Sequence, residues 1–168
     1  MMKKTGYFLL AIFILVLDQV SKYLIRLNFV EGETLKITPQ YLWITYVENT
    51  GASFSFSLGS DNLNRILFSI ITFLACILVT YLLLKAKHSL EQTGFALVLA
   101  GALGNLIDRL MKGSVTDFIN CDFPDFIMQR WPIFNVADSS LVVAIFLLSI
   151  YFLFVENRKK AVIPPAEI

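Results

Sequence analysis

The sequence predicts a mainly α-helical, polytopic membrane protein: four transmembrane helices, with a small antiparallel β-sheet in the first outer loop. Three observations carry that expectation. Of the 168 residues, 57% are hydrophobic and only 16% charged, whereas a soluble domain carries about a quarter charged residues. Four apolar runs are each long enough to cross the ~30 Å hydrocarbon core, which takes about 20 helical residues. The first long loop alternates apolar and polar residues in the manner of a half-buried strand.

The four spans run from about Gly6 to Arg26, Leu63 to Leu84, Thr93 to Met111 and Val136 to Glu156. Lipid offers no hydrogen bonds, so the main-chain polar groups of each span must pair internally, which dictates helices. Two long polar stretches, about Leu27 to Asn62 and Lys112 to Asn135, fall on one side, and short tails and a short loop on the other. The short pieces hold Lys3, Lys4, Lys85, Lys87, Arg158, Lys159 and Lys160, half of the fourteen Lys and Arg. The positive-inside rule then places both termini in the cytoplasm and both long loops outside. The start of the chain imitates a secretory signal, but it lacks a small-x-small cleavage site and continues into "DQVSKYLIR". It is read as an uncleaved first helix. Residues 1–168 form one membrane-embedded domain on this reading, and the net charge of +1 gives no electrostatic reason to expect nucleic acid.

In the first outer loop, "YLWITYVEN" is rich in β-branched and aromatic residues, and "SFSFSL" (Ser53 to Leu58) alternates strictly, with Phe54, Phe56 and Leu58 on one face. Between them "ENTG" is a turn signal, with Gly51 able to take a positive φ. The expected sheet pairs these two segments and rests its aromatic face on the membrane interface.

Polar residues inside the spans mark where chemistry can occur, because an ionisable group in a membrane needs a partner or a role. The first span carries Asp18 and Lys22, four apart on one helical face, about 18 Å along from Gly6 and so in the outer half. The third carries Asn105, Asp108 and Arg109 in "AGALGNLIDRL", where Gly101, Gly104, Asn105 and Asp108 share a stripe that allows close helix contact. The fourth begins with Asn135 and Asp138, spaced as an N-cap and a variant of the capping box. One end of the bundle is thus polar and the other sealed. A transporter needs ionisable groups across the full depth or at the midplane, so the pattern points to a site facing the outer leaflet.

Taken alone, Asp138 reads as a helix cap and Asp117, in "GSVTDFIN", as a loop acid. A turn at Gly113 followed by a short extended piece would aim Asp117 back towards the fourth helix. Cys76 in the second span and Cys121 in the second outer loop differ in depth, which speaks against a disulfide. Neither has metal-ligand spacing, and the single His, His88, lies on the cytoplasmic side. Two acids without a Ser–His or Cys–His set leave acid–base hydrolysis as the main chemical option.

The segments "DQVSK", "NTGASFS", "AGALGNLIDR", "GSVTDFI" and "WPIFNVADSS" resemble, in order and spacing, the five blocks of the lipoprotein signal peptidase (signal peptidase II) family. The resemblance implies an aspartic peptidase of the bacterial inner membrane. Its substrate would be a prolipoprotein already bearing diacylglycerol on the Cys after its signal peptide, cut N-terminal to that Cys at the outer, periplasmic face. The catalytic pair carries over to Asp117 and Asp138, and supporting roles to Asp18, Lys22, Asn49, Gly51, Asn105, Arg109 and Asn135. Membrane lipids are further partners; no metal or organic cofactor is needed and no oligomer is implied. Ala100, Thr116 and Trp131 depart from the residues common in the family; Thr116, beside Asp117, could add a hydrogen bond. The first turn of a helix favours an anion, so the expectation is that Asp138 is more often ionised and Asp117 more often protonated before substrate binds. Two rivals use the same residues: a carboxylate-based ion or proton carrier, and a noncatalytic lipoprotein-assembly factor in which the acids only cap and pair.

Overall fold

Where the sequence is continuously apolar, the chain is helical. The computed structural model describes residues 3–50, 61–122 and 131–156. Its helices are α1 (Lys4–Asn28), α2 (Asp61–Lys85), α3 (Ser89–Lys112) and α4 (Val136–Ile150), the last continued by a π-helical segment, Tyr151–Glu156. These are the four expected spans, and all are long and apolar enough to cross a membrane. The largest difference is the start of α3, four residues ahead of Thr93. His88 caps it, its Nδ1 accepting from the Leu90 N–H at 3.3 Å, and Glu91 sits in the first turn where the helix dipole favours a carboxylate.

Helix α3 is the axis of the bundle and packs against α1, α2 and α4. Within its apolar window 61% is buried, against 17–22% for the other three. Small residues explain the close approach, since lipid supplies no hydrophobic drive between helices and packing must do so. A Cβ at Gly101 would sit 2.6 Å from the Ala137 carbonyl oxygen and from Ser140 Oγ, and one at Gly104 would sit 2.5 Å from Asp18 Oδ2. The outer faces of α1, α2 and α4 present Phe13, Ile70, Phe73 and Phe146, each more than half exposed, as lipid-facing residues should be. The apolar core, with Tyr7, Leu83, Phe95, Ala96 and Leu99, fills the end of the bundle where α1 begins and α2 ends.

At the other end lies a three-stranded antiparallel sheet, β1 (Thr34–Lys36), β2 (Leu42–Asn49) and β3 (Val115–Cys121), in that order. An antiparallel sheet containing "LWITYVEN" is as expected; its membership differs. The described partners of β2 are β1 and β3, so the first long loop shares the sheet with the second. The expected partner "SFSFSL" and the turn glycine Gly51 lie outside the described residues. The difference has a local cause: Gly113 ends α3 at φ 87°, its N–H returning to the Arg109 carbonyl at 3.0 Å, and this left-handed turn sends the chain straight back along β2. Arg65 of α2 braces the same corner, donating from Nε to the Arg109 carbonyl (2.9 Å) and from Nη2 to the Leu110 carbonyl (2.8 Å).

Two irregularities of this sheet bring polar residues of β3 and α4 together. The β2–β3 register shifts between Ile44 and Val47, a bulge beside Asp117, which stands opposite Val47. On its other edge β3 forms an isolated bridge from Ile119 to Phe134, whose carbonyl accepts from Ile119 N at 2.7 Å. That bridge delivers Asn135, the cap of α4, to the side of β3.

Candidate active site

Polar side chains from five elements meet between the sheet and the bundle. Helix α1 contributes Asp18 and Lys22 at successive turns of one face. Lys22 is 0% exposed, and its ammonium has three protons and three acceptors: Asp18 Oδ2 (2.9 Å), Asp108 Oδ2 (3.1 Å) and Asn105 Oδ1 (3.0 Å). The expected Asp18–Lys22 pair is formed, and Asp18 does something further: its Oδ1 accepts the Ala137 N–H at 2.9 Å, capping the start of α4 from another helix.

The Asn105 amide is oriented by charge. An ammonium cannot accept a hydrogen bond, so Lys22 holds the amide oxygen, which also receives Asn135 Nδ2 at 3.2 Å. The amide nitrogen is thereby turned outward and donates to Asp138 Oδ1 at 2.8 Å. The other Asp138 oxygen accepts the Asn135 N–H (3.2 Å), while Asn135 Oδ1 accepts the Asp138 N–H (2.9 Å), completing the capping box that the spacing predicted.

Asn135 is the joint between the two acids. Its Nδ2 donates to Asp117 Oδ1 at 2.6 Å, and Asn49 Nδ2 donates to Asp117 Oδ2 at 2.9 Å. Asp117 is 3% exposed. Burial pushes its carboxyl up, the Asn49 and Asn135 hydrogen bonds oppose that, and the charge of Asp138 adds to it, leaving the group at about 6. Both acids line one cavity of about 550 Å³ together with Asn49, Asn105, Arg109 and Trp131. A second, apolar cavity of about 350 Å³ runs from Trp131, Phe134 and Asp138 along Ser139, Val142 and Val143 of α4, so the two adjoin at Asp138.

Among the described residues no three His, Cys, Asp or Glu side chains are grouped to hold a metal ion. What the cavity offers is a pair of carboxylic groups, amides that hold them without adding charge, and one guanidinium. Such a set suits proton transfer to and from a substrate and a water molecule.

Comparison with known proteins decides the family. The family model described as Signal peptidase (SPase) II matches residues 10–154. The chain belongs to the signal peptidase II family. Curated lipoprotein signal peptidases are similar over nearly the full length: that of Enterococcus faecalis is 41% identical, covering 92% of this chain and 91% of its own. That of Staphylococcus aureus is 37% identical over 90% of both chains. The fold is shared with a solved bacterial membrane enzyme at a TM-score of 0.81 and 35% identity, covering 90% of this chain and 94% of that one. A second such structure gives 0.78 at 32% identity, covering 98% and 94%.

In this signal peptidase II, a multi-pass membrane peptidase, Asp18, Lys22, Asn49, Asn105, Asn135, Asp117 and Asp138 form one continuous hydrogen-bonded assembly, and Arg109 lines the cavity beside it. Three participants have roles that the sequence did not assign. Asp108 bridges Lys22 and the Thr116 N–H (3.1 Å), and Arg26 lies 3.7 Å from Asp108. Glu48 gathers Lys112, Ser114 Oγ (2.5 Å) and Tyr46 Oη (2.6 Å). The signal for Arg26 was present: Asp18, Lys22 and Arg26 recur every four residues and so share one helical stripe. Glu48 gave none, because only the β2–β3 register places it opposite Thr116.

Proposed function

We propose that the protein is an aspartic endopeptidase that removes the signal peptide from diacylglyceryl-modified prolipoproteins, cutting N-terminal to the lipidated Cys. The observation that carries this reading is the joint held by Asn135: two carboxylic groups on one cavity, fixed by different donors, with Asp117 buried and its carboxyl raised to about 6. Two carboxylic groups facing one cavity can divide the acid and base roles of a hydrolysis between them.

In the proposed reaction Asp138 is the acceptor and Asp117 the donor. The Asp138 carboxylate takes a proton from water as the water oxygen bonds to the scissile carbonyl carbon, and the Asp117 carboxyl gives its proton to the carbonyl oxygen. The tetrahedral diol then collapses: Asp138 passes its proton to the amide nitrogen, the C–N bond breaks, and Asp117 recovers a proton from the diol. The products are the signal peptide acid and the free amine of the lipidated Cys. Asn105 and Asn135 hold the carboxylates in place throughout. Arg109, within electrostatic reach of both acids, is set to bind a substrate carbonyl or a lipid phosphate. The apolar groove along Ser139, Val142 and Val143 is where acyl chain and signal-peptide helix would lie, in contact with membrane lipid.

Family membership supports a bacterial inner-membrane placement, and the Lys and Arg distribution supports an orientation with both termini cytoplasmic and the cavity at the periplasmic face, within one domain over residues 1–168. The test is mass analysis of products from a diacylglyceryl-Cys precursor and its unlipidated twin. The reading requires a new N-terminus at the lipidated Cys and little or no cleavage of the twin. Proton flux into liposomes without cleavage would instead support an ion carrier.

A further inference from the structure

A second polar cluster lies behind the acid pair, and the proposed hydrolysis makes no use of it. At its centre is Thr116, 0% exposed. It neighbours Asp117 in β3, and successive side chains of a strand point to opposite faces. Its Oγ1 receives Arg26 Nη1 at 3.0 Å and Lys112 Nζ at 3.2 Å, and stands 3.1 Å from Glu48 Oε1. A hydroxyl has one proton and two lone pairs. It donates to the glutamate and accepts from both cations, so its capacity is filled. Charged groups from α1, α3 and β2 therefore converge on one hydroxyl of β3. The main chain of Thr116 is held as well: its N–H donates to Asp108 Oδ2 at 3.1 Å, and its carbonyl faces Asn135 Nδ2 at 3.4 Å.

We infer that the Thr116 hydroxyl is a positioning group, the peg by which the Glu48–Lys112–Arg26 cluster fixes β3 and so sets where the Asp117 carboxyl stands relative to Asp138. The β2–β3 ladder pairs Asp117 with Val47 and Thr116 with Glu48, but the bulge between Ile44 and Val47 interrupts it on the far side of Asp117, so regular pairing to β2 holds that residue from one side only. Valine has the shape of threonine without the oxygen. In Thr116→Val, the glutamate and both cations lose a common partner and must rearrange, and β3 loses its side-chain anchor. A displacement of about 1 Å in a reacting group can cost up to a hundredfold in rate. The inference rests on the proposed roles of Asp117 and Asp138.

The test is steady-state kinetics on a diacylglyceryl-Cys precursor with folded, monodisperse Thr116→Val and Thr116→Ser, alongside Asp117→Asn. The expected result is a fall in kcat of about tenfold for valine with KM unchanged, and recovery of most of it by serine. Wild-type kcat in the valine variant overturns the inference, as does a loss confined to KM or a serine variant as slow as valine. Should the valine variant fail to fold, Lys112→Met decides, because it leaves β3 intact. Reduced kcat at constant KM supports the peg, and wild-type kcat overturns it. An active Asp117→Asn would instead refute the catalytic pair itself.

Discussion

Lys22 is the most informative residue to remove. It is 0% exposed, as is Asp18, and Asp108 is 2% exposed; the three form a buried cation with two buried anions. Lys22→Met keeps the length of the side chain and deletes the charge, which strands two carboxylates in a site without water access. Breaking a buried ion pair by removing one partner costs about 3–5 kcal/mol. Arg26, 3.7 Å from Asp108, offsets part of the second anion's loss, so a value within that range is expected rather than its double. A chemical effect accompanies the stability loss. Without the ammonium, the Asn105 amide is free to turn its oxygen towards Asp138, and Asp138 Oδ1 loses its donor. Denaturant unfolding in mixed micelles, followed by the fluorescence of Trp43 and Trp131, gives the first quantity, and cleavage rate at a temperature where the variant is folded gives the second. The double variant Lys22→Met with Asp18→Asn should unfold later than Lys22→Met alone, since one stranded charge is gone. The reasoning is refuted if Lys22→Met lies within about 1 kcal/mol of the parent and cleaves at the same rate.

Asp117, raised from 3.8 to about 6, gives a signed pH prediction. As the proton donor it must be protonated, so kcat/KM falls as pH rises through about 6. The same carboxyl contributes stability that is full below its unfolded value and is lost as pH climbs through about 6; relative to Asp117→Asn, the parent therefore becomes less stable over that window. Glu48 behaves oppositely. Burial pushes its carboxyl up, but the hydrogen bonds from Lys112, Ser114 and Tyr46 outweigh it and bring the group down to about 2. Glu48→Gln should be less stable than the parent at neutral pH, and the gap should close as pH falls from the unfolded value of 4.5 through about 2 in an unfolding titration. Gly104→Ala would drive a Cβ to 2.5 Å from Asp18 Oδ2, so it should cost about 1–3 kcal/mol in the same unfolding assay.

The bundle was legible in the sequence because a membrane enforces it: each span had to be helical and about the right length, and the stripe of Gly101, Gly104, Asn105 and Asp108 marked the face on which α3 packs. The Asp18–Lys22 pair and the Asn135–Asp138 capping box were legible because both are local, set by three- and four-residue spacings. What could not be read was pairing between distant segments. Nothing in "LWITYVEN" says that its partner is "VTDFINC"; strand pairing depends on where the Gly113 turn and the Phe134 bridge place the chain. The Glu48–Thr116 contact follows from that register, and so it too was invisible. Asp18 capping α4 through the Ala137 N–H joins residues 119 positions apart and has no local signature.

The measurement that bears most directly on the central claim is single-turnover cleavage of a diacylglyceryl-Cys precursor by Asp117→Asn and by Asp138→Asn, each shown to be inserted and folded. Asn keeps the shape of both side chains and one of the two hydrogen bonds that each carboxylate accepts, while removing the capacity to take up and return a proton. The account predicts that either change alone abolishes cleavage, by about a thousandfold or more. A variant of either position that still cleaves at a rate near that of the parent would show that the two carboxylic groups do not share the acid–base work of the hydrolysis.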